Sequence, residues 1–270
     1  MIVPDRDDVI QQEPKDIADR AQAVGTERLD RGNLEILVTA IIGGGEVSLG
    51  AVAAMAVVGS LLKSFPALDL YLALAAGGLV FPIGFLFVIV GRSELFTENF
   101  LIPVVSVLQG ERTPGSLVLL WAISWIGNLI GCAGTAALLL VPDAIGDAIR
   151  LGFERYTTYK LDVPLTGVVA SAALAGGVMT AMTWMLLSVK HPVARMLAIY
   201  AGGYLLFAAN LSHSIVSASA LLVGFVQAGA SALEVAVWIL AATVGNLVGG
   251  VGLVTLFRVT QAHEQRKQDS

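Results

Sequence analysis

Two short polar interruptions set in otherwise apolar sequence constrain what this chain can fold into. They are Arg92-Ser93-Glu94-Leu95-Phe96-Thr97-Glu98-Asn99 and Asn210-Leu211-Ser212-His213-Ser214. Each is flanked on both sides by residues that belong in a bilayer. An ionisable group at that depth costs roughly 2.5 to 3.5 kcal/mol on insertion scales, so polar residues there line a cavity or a pathway. With 56% apolar and 14% charged residues, against about 25% charged in a soluble domain, the chain reads as a polytopic membrane protein.

Met1 to Gly32 is polar, carries both signs of charge and lacks an apolar h-region. It is expected to be a surface-lying amphipathic helix rather than a signal peptide. The basic residues Arg6, Lys15, Arg20, Arg28 and Arg31 precede the first span, and Arg258, Arg266 and Lys267 follow the last. Both ends are therefore expected to be cytoplasmic. The expected organisation is an N-terminal amphipathic segment at 1–32, a transmembrane channel domain at 33–258 and a cytoplasmic tail at 259–270. One cysteine, Cys132, excludes an intramolecular disulfide, and His191, His213 and His263 are too dispersed for a metal site. No metal, cofactor, nucleic-acid partner or enzymatic constellation is implied.

Four stretches are long enough to cross as single helices, roughly Asn33 to Leu62, Gly115 to Val141, Val163 to Val189 and Ser231 to Phe257. Leu70 to Gln109 is too long for one crossing, yet its end, Phe100 to Gln109, is too short for another. Met196 to Ala230 presents the same problem around Ser212-His213-Ser214. An interrupted crossing, with a half-helix on each side of a turn, resolves both cases, because non-helical backbone is tolerated at depth where protein or water satisfies it. Six spans result. An eight-span arrangement also keeps both ends on one side and is disfavoured by the shortness of Phe100 to Gln109.

The chain repeats itself. Trp125-Ile126-Gly127-Asn128-Leu129-Ile130-Gly131 recurs 118 residues later as Thr243-Val244-Gly245-Asn246-Leu247-Val248-Gly249, and the same shift carries Glu94-Leu95-Phe96-Thr97 onto Ser212-His213-Ser214-Ile215. Three spans per half place the two halves in opposite orientations. The expected fold is thus all-α, six transmembrane helices as two inverted three-helix repeats, with the second and fifth helices broken. Taken singly, Asn128 and Asn246 need do no more than bond across helices, and the 29 glycines fit close helix crossings.

His213 is the one histidine of the apolar interior, suited to a proton or hydrogen-bond role, or else held by a backbone carbonyl between helices. Half-helix N-termini meeting at the breaks would offer N–H groups to an anion or polar solute, with Thr97 and Ser212 or Ser214 adding hydroxyls. Arg92, Glu94 and Glu98 are expected to pair with one another or with a group such as Glu46. Lys160 follows a basic and aromatic loop, Arg150 to Tyr159, where a lysine ordinarily snorkels to the interface.

Gly91 to Asn99, His213-Ser214-Ile215 and the repeated Gly-Asn-Leu-Ile/Val-Gly together resemble the formate/nitrite transporter family, over essentially Asn33 to Phe257. The resemblance implies an aquaporin-like protomer, a homopentamer with one pore per subunit in the cell (inner) membrane, and passage of small monovalent anions such as formate, nitrite or hydrosulfide, or their neutral acids. By position it implies that Phe81, Phe85 and Leu95 form one apolar constriction and that Leu206 contributes to another. It makes His213 the central histidine that can pass a proton to the permeant, Thr97 the threonine beside it and Lys160 the vestibule lysine. It puts Gly176 where the family commonly has a pore-facing asparagine on the fourth span. Phe85 stands in place of a usual leucine and Leu206 in place of a usual phenylalanine. Arg92 and Glu98 are charged where smaller or uncharged residues are typical, which marks a divergent branch.

The expected mechanism draws an anion in by Lys160, strips its water at the constrictions and passes it as the neutral acid after it takes a proton supplied through His213. The rival readings are a channel for small neutral solutes, which the lack of an Asn-Pro-Ala motif disfavours, and an occluded membrane scaffold or regulator plugged at the first break.

Overall fold

The computed structural model describes residues 13–269, and within them every regular element is helical. Helix α1 (Pro14–Leu29) is followed by α2 (Asn33–Ser64), the first span. Asp69 caps α3 (Leu70–Gly78) by accepting from Tyr71 and Leu72 N–H, and α3 continues through a kink into α4 (Pro82–Gly91). The chain then breaks, resumes as a 3-10 turn (Phe96–Phe100) and ends the arm in α5 (Ile102–Leu108). Thr113 caps α6 (Pro114–Leu139), with proline at the first helical position where its missing N–H does no harm.

The second half repeats the plan: α7 (Asp147–Asp162), α8 (Leu165–Ser188), α9 (Pro192–Ala208), a break, and α10 (Ser214–Gly224). A Ser231/Glu234 capping box starts α11 (Ala232–Leu247), which runs without interruption through a π-helical segment (Val248–Thr255) into α12 (Leu256–Asp269). Among the described residues five helices are long and apolar enough to cross a membrane: 33–64, 70–91, 114–139, 165–188 and 232–269. Phe96–Leu108, Pro192–Ala208 and Ser214–Gly224 are too short to do so alone. The first broken element is therefore unequal, a full-length arm of 22 residues followed by a short one.

Three expectations change. Arg150 to Tyr159 is not a loop but most of α7, whose face Gly152, Phe153, Tyr156, Thr157 and Lys160 is buried. The last helix shows no boundary at 258. The part of the 1–32 expectation that falls on 1–12 lies outside the described residues, and α1 is not merely laid on a surface. Its Ile17 and Ala21 pack against Leu101, Ile102 and Val105, and a Cβ on Gly25 would lie 2.3 Å from the Ile102 carbonyl oxygen. Ion pairs of Lys15 with Asp269 and of Arg266 with Asp19 join α1 to α12. Arg112 pairs with Asp30, beyond the end of α1, and holds that carboxyl below the usual carboxylate range.

The breaks are built from the same bonds twice. Helix α4 ends on Arg92 at φ 60°, with Ser93 N–H returning 2.9 Å to the Val88 carbonyl; α9 is followed by Asn210 at φ 50°, with Leu211 N–H returning 3.0 Å to Leu206. The Asn128 carboxamide donates to the Ala40 and Glu94 carbonyls, each at 2.8 Å, and accepts from Phe96 N–H at 2.8 Å. Asn246 donates to Ala172 and Ser212 at 2.8 and 3.1 Å and accepts from Ser214 N–H at 2.8 Å. Each carboxamide thus joins a break to the neighbouring span. Gly44 and Gly176 admit these asparagines: a Cβ on either would stand 2.1 Å from the Asn128 or Asn246 carbonyl oxygen.

Replacing Asn128 with Ala strands Phe96 N–H and the Glu94 carbonyl in a buried place and removes the tie to Ala40 of α2. We expect a loss of about 2 to 5 kcal/mol, read as a lowered thermal midpoint of the detergent-solubilised protein. An unchanged midpoint would deny the clamp.

Candidate functional site

The second arms of the two broken elements start beside each other, and a 2.8 Å hydrogen bond between Thr97 Oγ1 and His213 Nε2 joins them. Both residues are fully buried. His213 precedes α10 and its Nδ1 accepts from the backbone N–H groups of Ile215 and Val216 at 3.2 and 3.1 Å. A nitrogen that accepts twice carries no hydrogen, so the ring hydrogen sits on Nε2 and is donated to Thr97. The Thr97 hydroxyl hydrogen is then left to point at something else. The resemblance puts Thr97 beside the histidine, and the structure places the two side chains in hydrogen-bond contact.

The expected anion cradle of backbone N–H groups is not present at α10. Its first four N–H groups are consumed by the Asn246 side chain, twice by His213 Nδ1, and by the His213 carbonyl at 2.9 Å. The cap is the imidazole, not a serine. Ser212 N–H instead donates to Ser171 Oγ at 3.0 Å, and the Ser214 hydroxyl is buried with no partner.

Aromatic rings wall one side of the pair. Phe85 lies 6.5 Å from the His213 ring and 5.2 Å from Phe81, and Phe81 stacks on Phe207 at 4.9 Å. Phe207 in turn stacks on Tyr156 at 6.1 Å, whose hydroxyl meets Ser217 Oγ at 3.0 Å. Phe81, Phe85, Leu95 and Leu206 are all buried in this one apolar cluster, where the expectation assigned the first three to one constriction and Leu206 to another. Phe207 and Tyr156 were missed. The signal for Tyr156 lay in the i, i+4 stripe of α7, disguised by the threonine and lysine that share it.

Lys160 ends that stripe. Its side chain is 1% exposed, donates 2.7 and 3.3 Å to the Asn210 and Leu211 carbonyls, and lies 5.3 and 5.9 Å from the Tyr156 and Trp238 ring centroids. It does not snorkel. It ties the second break to α7, and among the described residues it has no carboxylate partner. Gly176 is a packing contact between α8 and α11, because the Asn246 backbone occupies the space a side chain would need.

The charges of the first break pair differently from expectation. Glu94, 2% exposed, bonds Arg31 Nη1 at 2.6 Å and Arg28 Nη1 at 3.4 Å. Asn99 Nδ2 donates to Glu94 Oε1 at 2.7 Å, and Arg28 also reaches Asn99 Oδ1 at 2.8 Å. The N-terminal segment therefore supplies the cations. Among the described residues Arg92 makes no ion pair, while Glu98 Oε1 and Glu46 Oε2 are buried without a hydrogen-bond partner. Composition showed these carboxylates; it held no signal that arginines some 60 residues upstream would reach them. A cavity of about 580 Å³ opens here, lined by Arg20, Arg28, Arg31, Arg92, Arg195 and Glu98 among others.

Comparison with known proteins gives a consistent picture. A family model described as formate/nitrite transporter matches residues 15–260. A protein named "Probable formate transporter" from Methanothermobacter thermautotrophicus is 28% identical over 63% of this chain, which spans only 61% of that relative. An uncharacterized transporter, YrhG, of Bacillus subtilis (strain 168) is 24% identical over 95% of this chain and 97% of its own. Among solved structures, one titled "FNT family ion channel" superposes with a TM-score of 0.77 at 21% identity, covering 89% of this chain and 96% of that one. Another, "Pentameric formate channel with formate bound", gives 0.68 at 19% identity over 83% and 95%.

Removing the acid at the centre of the arginine cluster leaves Arg28 without an ion-pair partner among the described residues and Arg31 with Glu35 alone. Glu94→Ala is expected to cost about 3 kcal/mol and to raise hydrogen exchange at 92–99. Exchange that stays at the level of the unmodified protein would show that the N-terminal segment does not hold this break.

Proposed function

The chain belongs to the formate/nitrite transporter family, and on that premise we propose that it passes small monovalent anions of weak acids, of the formate or nitrite kind, through a pore within each subunit, the permeant crossing the middle as its neutral acid. The observation that carries this reading is the Thr97–His213 pair, whose hydroxyl is left free to donate in an apolar, aromatic-walled place. A bare anion loses too much hydration there, while a neutral acid needs only one or two hydrogen bonds to replace its water. Thr97 supplies one. His213 fixes that hydroxyl's direction by donating to its oxygen, and the donation makes the O–H a better donor in turn.

Phe81, Phe85, Leu95 and Leu206 are the apolar constrictions that strip water from the permeant. Lys160 stands behind the second break with no carboxylate partner among the described residues, and in its protonated form it draws anions toward that end. Gly176 serves the pathway only indirectly, by letting α11 carry Asn246 close to the break.

The chain is a multi-pass membrane protein. The finer placement, in the cell's inner membrane with both ends cytoplasmic and six crossings, is supported by the basic residues flanking the first and last spans and by α1 and α12 lying together. Assembly as a homopentamer is supported by the likeness to a solved pentameric channel. The apolar residues left exposed on the subunit, such as Leu34, Leu138 and Phe257, would then meet lipid or a neighbouring copy.

Stopped-flow uptake of formate, nitrite and hydrosulfide into proteoliposomes across a pH series tests the reading. Thr97→Val should lower weak-acid flux by about 2- to 10-fold, the equivalent of one lost hydrogen bond to a neutral permeant, and Thr97→Ser should restore it. A protein that moves none of these species, or glycerol and urea in their place, would refute the assignment.

A further inference from the structure

His213 has no nitrogen left to load with a proton. Nδ1 accepts two backbone N–H groups, and Nε2 is committed to Thr97. A permeant that crosses as the neutral acid, the reading on which this inference rests, must take its proton from another group.

One carboxylate stands in the right place. Glu98 directly follows Thr97 in the 3-10 turn that opens the second arm of the first break, and its side chain lines the 580 Å³ cavity on the α1 side. Its Oε1 is buried and accepts no hydrogen bond. Glu94, four residues earlier, is by contrast bound by Arg28, Arg31 and Asn99. Native structures seldom leave a buried carboxylate oxygen idle without a purpose.

We propose that Glu98 is the proton-exchange group at the α1 end of the pathway. An anion entering the cavity takes the proton from the Glu98 carboxyl: the Glu98 O–H bond breaks, an O–H or S–H bond forms on the permeant, and the negative charge passes to Glu98. No electrons are exchanged. The neutral acid moves on to Thr97, and water in the cavity returns a proton to Glu98. In the opposite direction the carboxylate receives the proton from an emerging acid.

The surrounding charges suit that exchange. Arg20 and Arg195 each donate to a carbonyl at the end of α8, Leu187 and Leu186, and among the described residues hold no carboxylate. Arg92 makes no ion pair among the described residues. Together with Arg28 and Arg31 they give five guanidiniums around the cavity, against the carboxylates of Glu27, Glu35, Glu94 and Glu98. An anion is thus collected by cations, and a carboxylate newly formed at Glu98 finds them close by. The arrangement selects anions whose conjugate acids are weak. An anion of a strong acid would be gathered by the arginines but could not accept the proton.

The test uses the full-length protein in liposomes containing a trapped pH dye, with formate as the probe. Glu98→Gln, close in size and unable to ionise, should lower formate flux at neutral pH by about tenfold or more and flatten its pH dependence; Glu98→Asp should keep the dependence. Infrared spectra of the purified protein report protonation without transport. The unmodified protein should show a protonated-carboxyl band that titrates away as pH rises and is missing from Glu98→Gln. A Glu98→Gln flux profile superimposable on the unmodified one, or identical carboxyl bands in the two, would overturn the inference. Absence of weak-acid flux in the unmodified protein would instead overturn the transport reading, and it is seen before any variant is compared.

Discussion

Two carboxamides hold this structure open. A chain that stops being helical inside a bilayer exposes N–H and C=O groups that no water satisfies, at a cost of several kcal/mol each. Asn128 and Asn246 answer that cost with one side chain per break, each donating twice and accepting once. Asparagine suits the task because its short side chain carries two donors and an acceptor in one plane. Everything at the centre follows: the breaks persist, the second arms begin side by side, and Thr97 and His213 meet.

The histidine shows how a single ring can be fully employed. One nitrogen finishes a helix and the other orients a hydroxyl, so the tautomer is set by the backbone rather than by solvent. In the proposed pathway that leaves a directed hydroxyl among phenylalanines at the middle, and moves the burden of charge to the two ends. The ends differ in kind. Lys160 is sealed against carbonyls and aromatic rings, whereas the α1 end is an open chamber of arginines with a carboxylate at its inner wall.

Much of this was legible in the sequence because it rests on repetition. A 118-residue shift superposes residues that later prove to make matching hydrogen bonds, and glycine at positions 44 and 176 marks where two helices touch. The same logic failed where one half carries something the other lacks. Arg28 and Arg31 lie in a polar stretch before the first span, and their reach to Glu94 depends on how α1 folds back over α5. Helix α7 was hidden because Thr157 and Lys160 occupy positions where periodicity expects apolar residues. Gly176 was assigned to the pathway by analogy of position, while its neighbour is the Asn246 backbone.

The left-handed residue that opens each break is the same in geometry and different in comfort. Asparagine enters that region readily and Asn210 sits there at φ 50°; arginine, at position 92 with φ 60°, carries a Cβ that resists it by about 1 kcal/mol. One hinge of this symmetric molecule is therefore relaxed and the other spring-loaded. Two turns of matching geometry thus store unequal backbone strain, and a non-strained residue such as asparagine or glycine at position 92 would remove the difference.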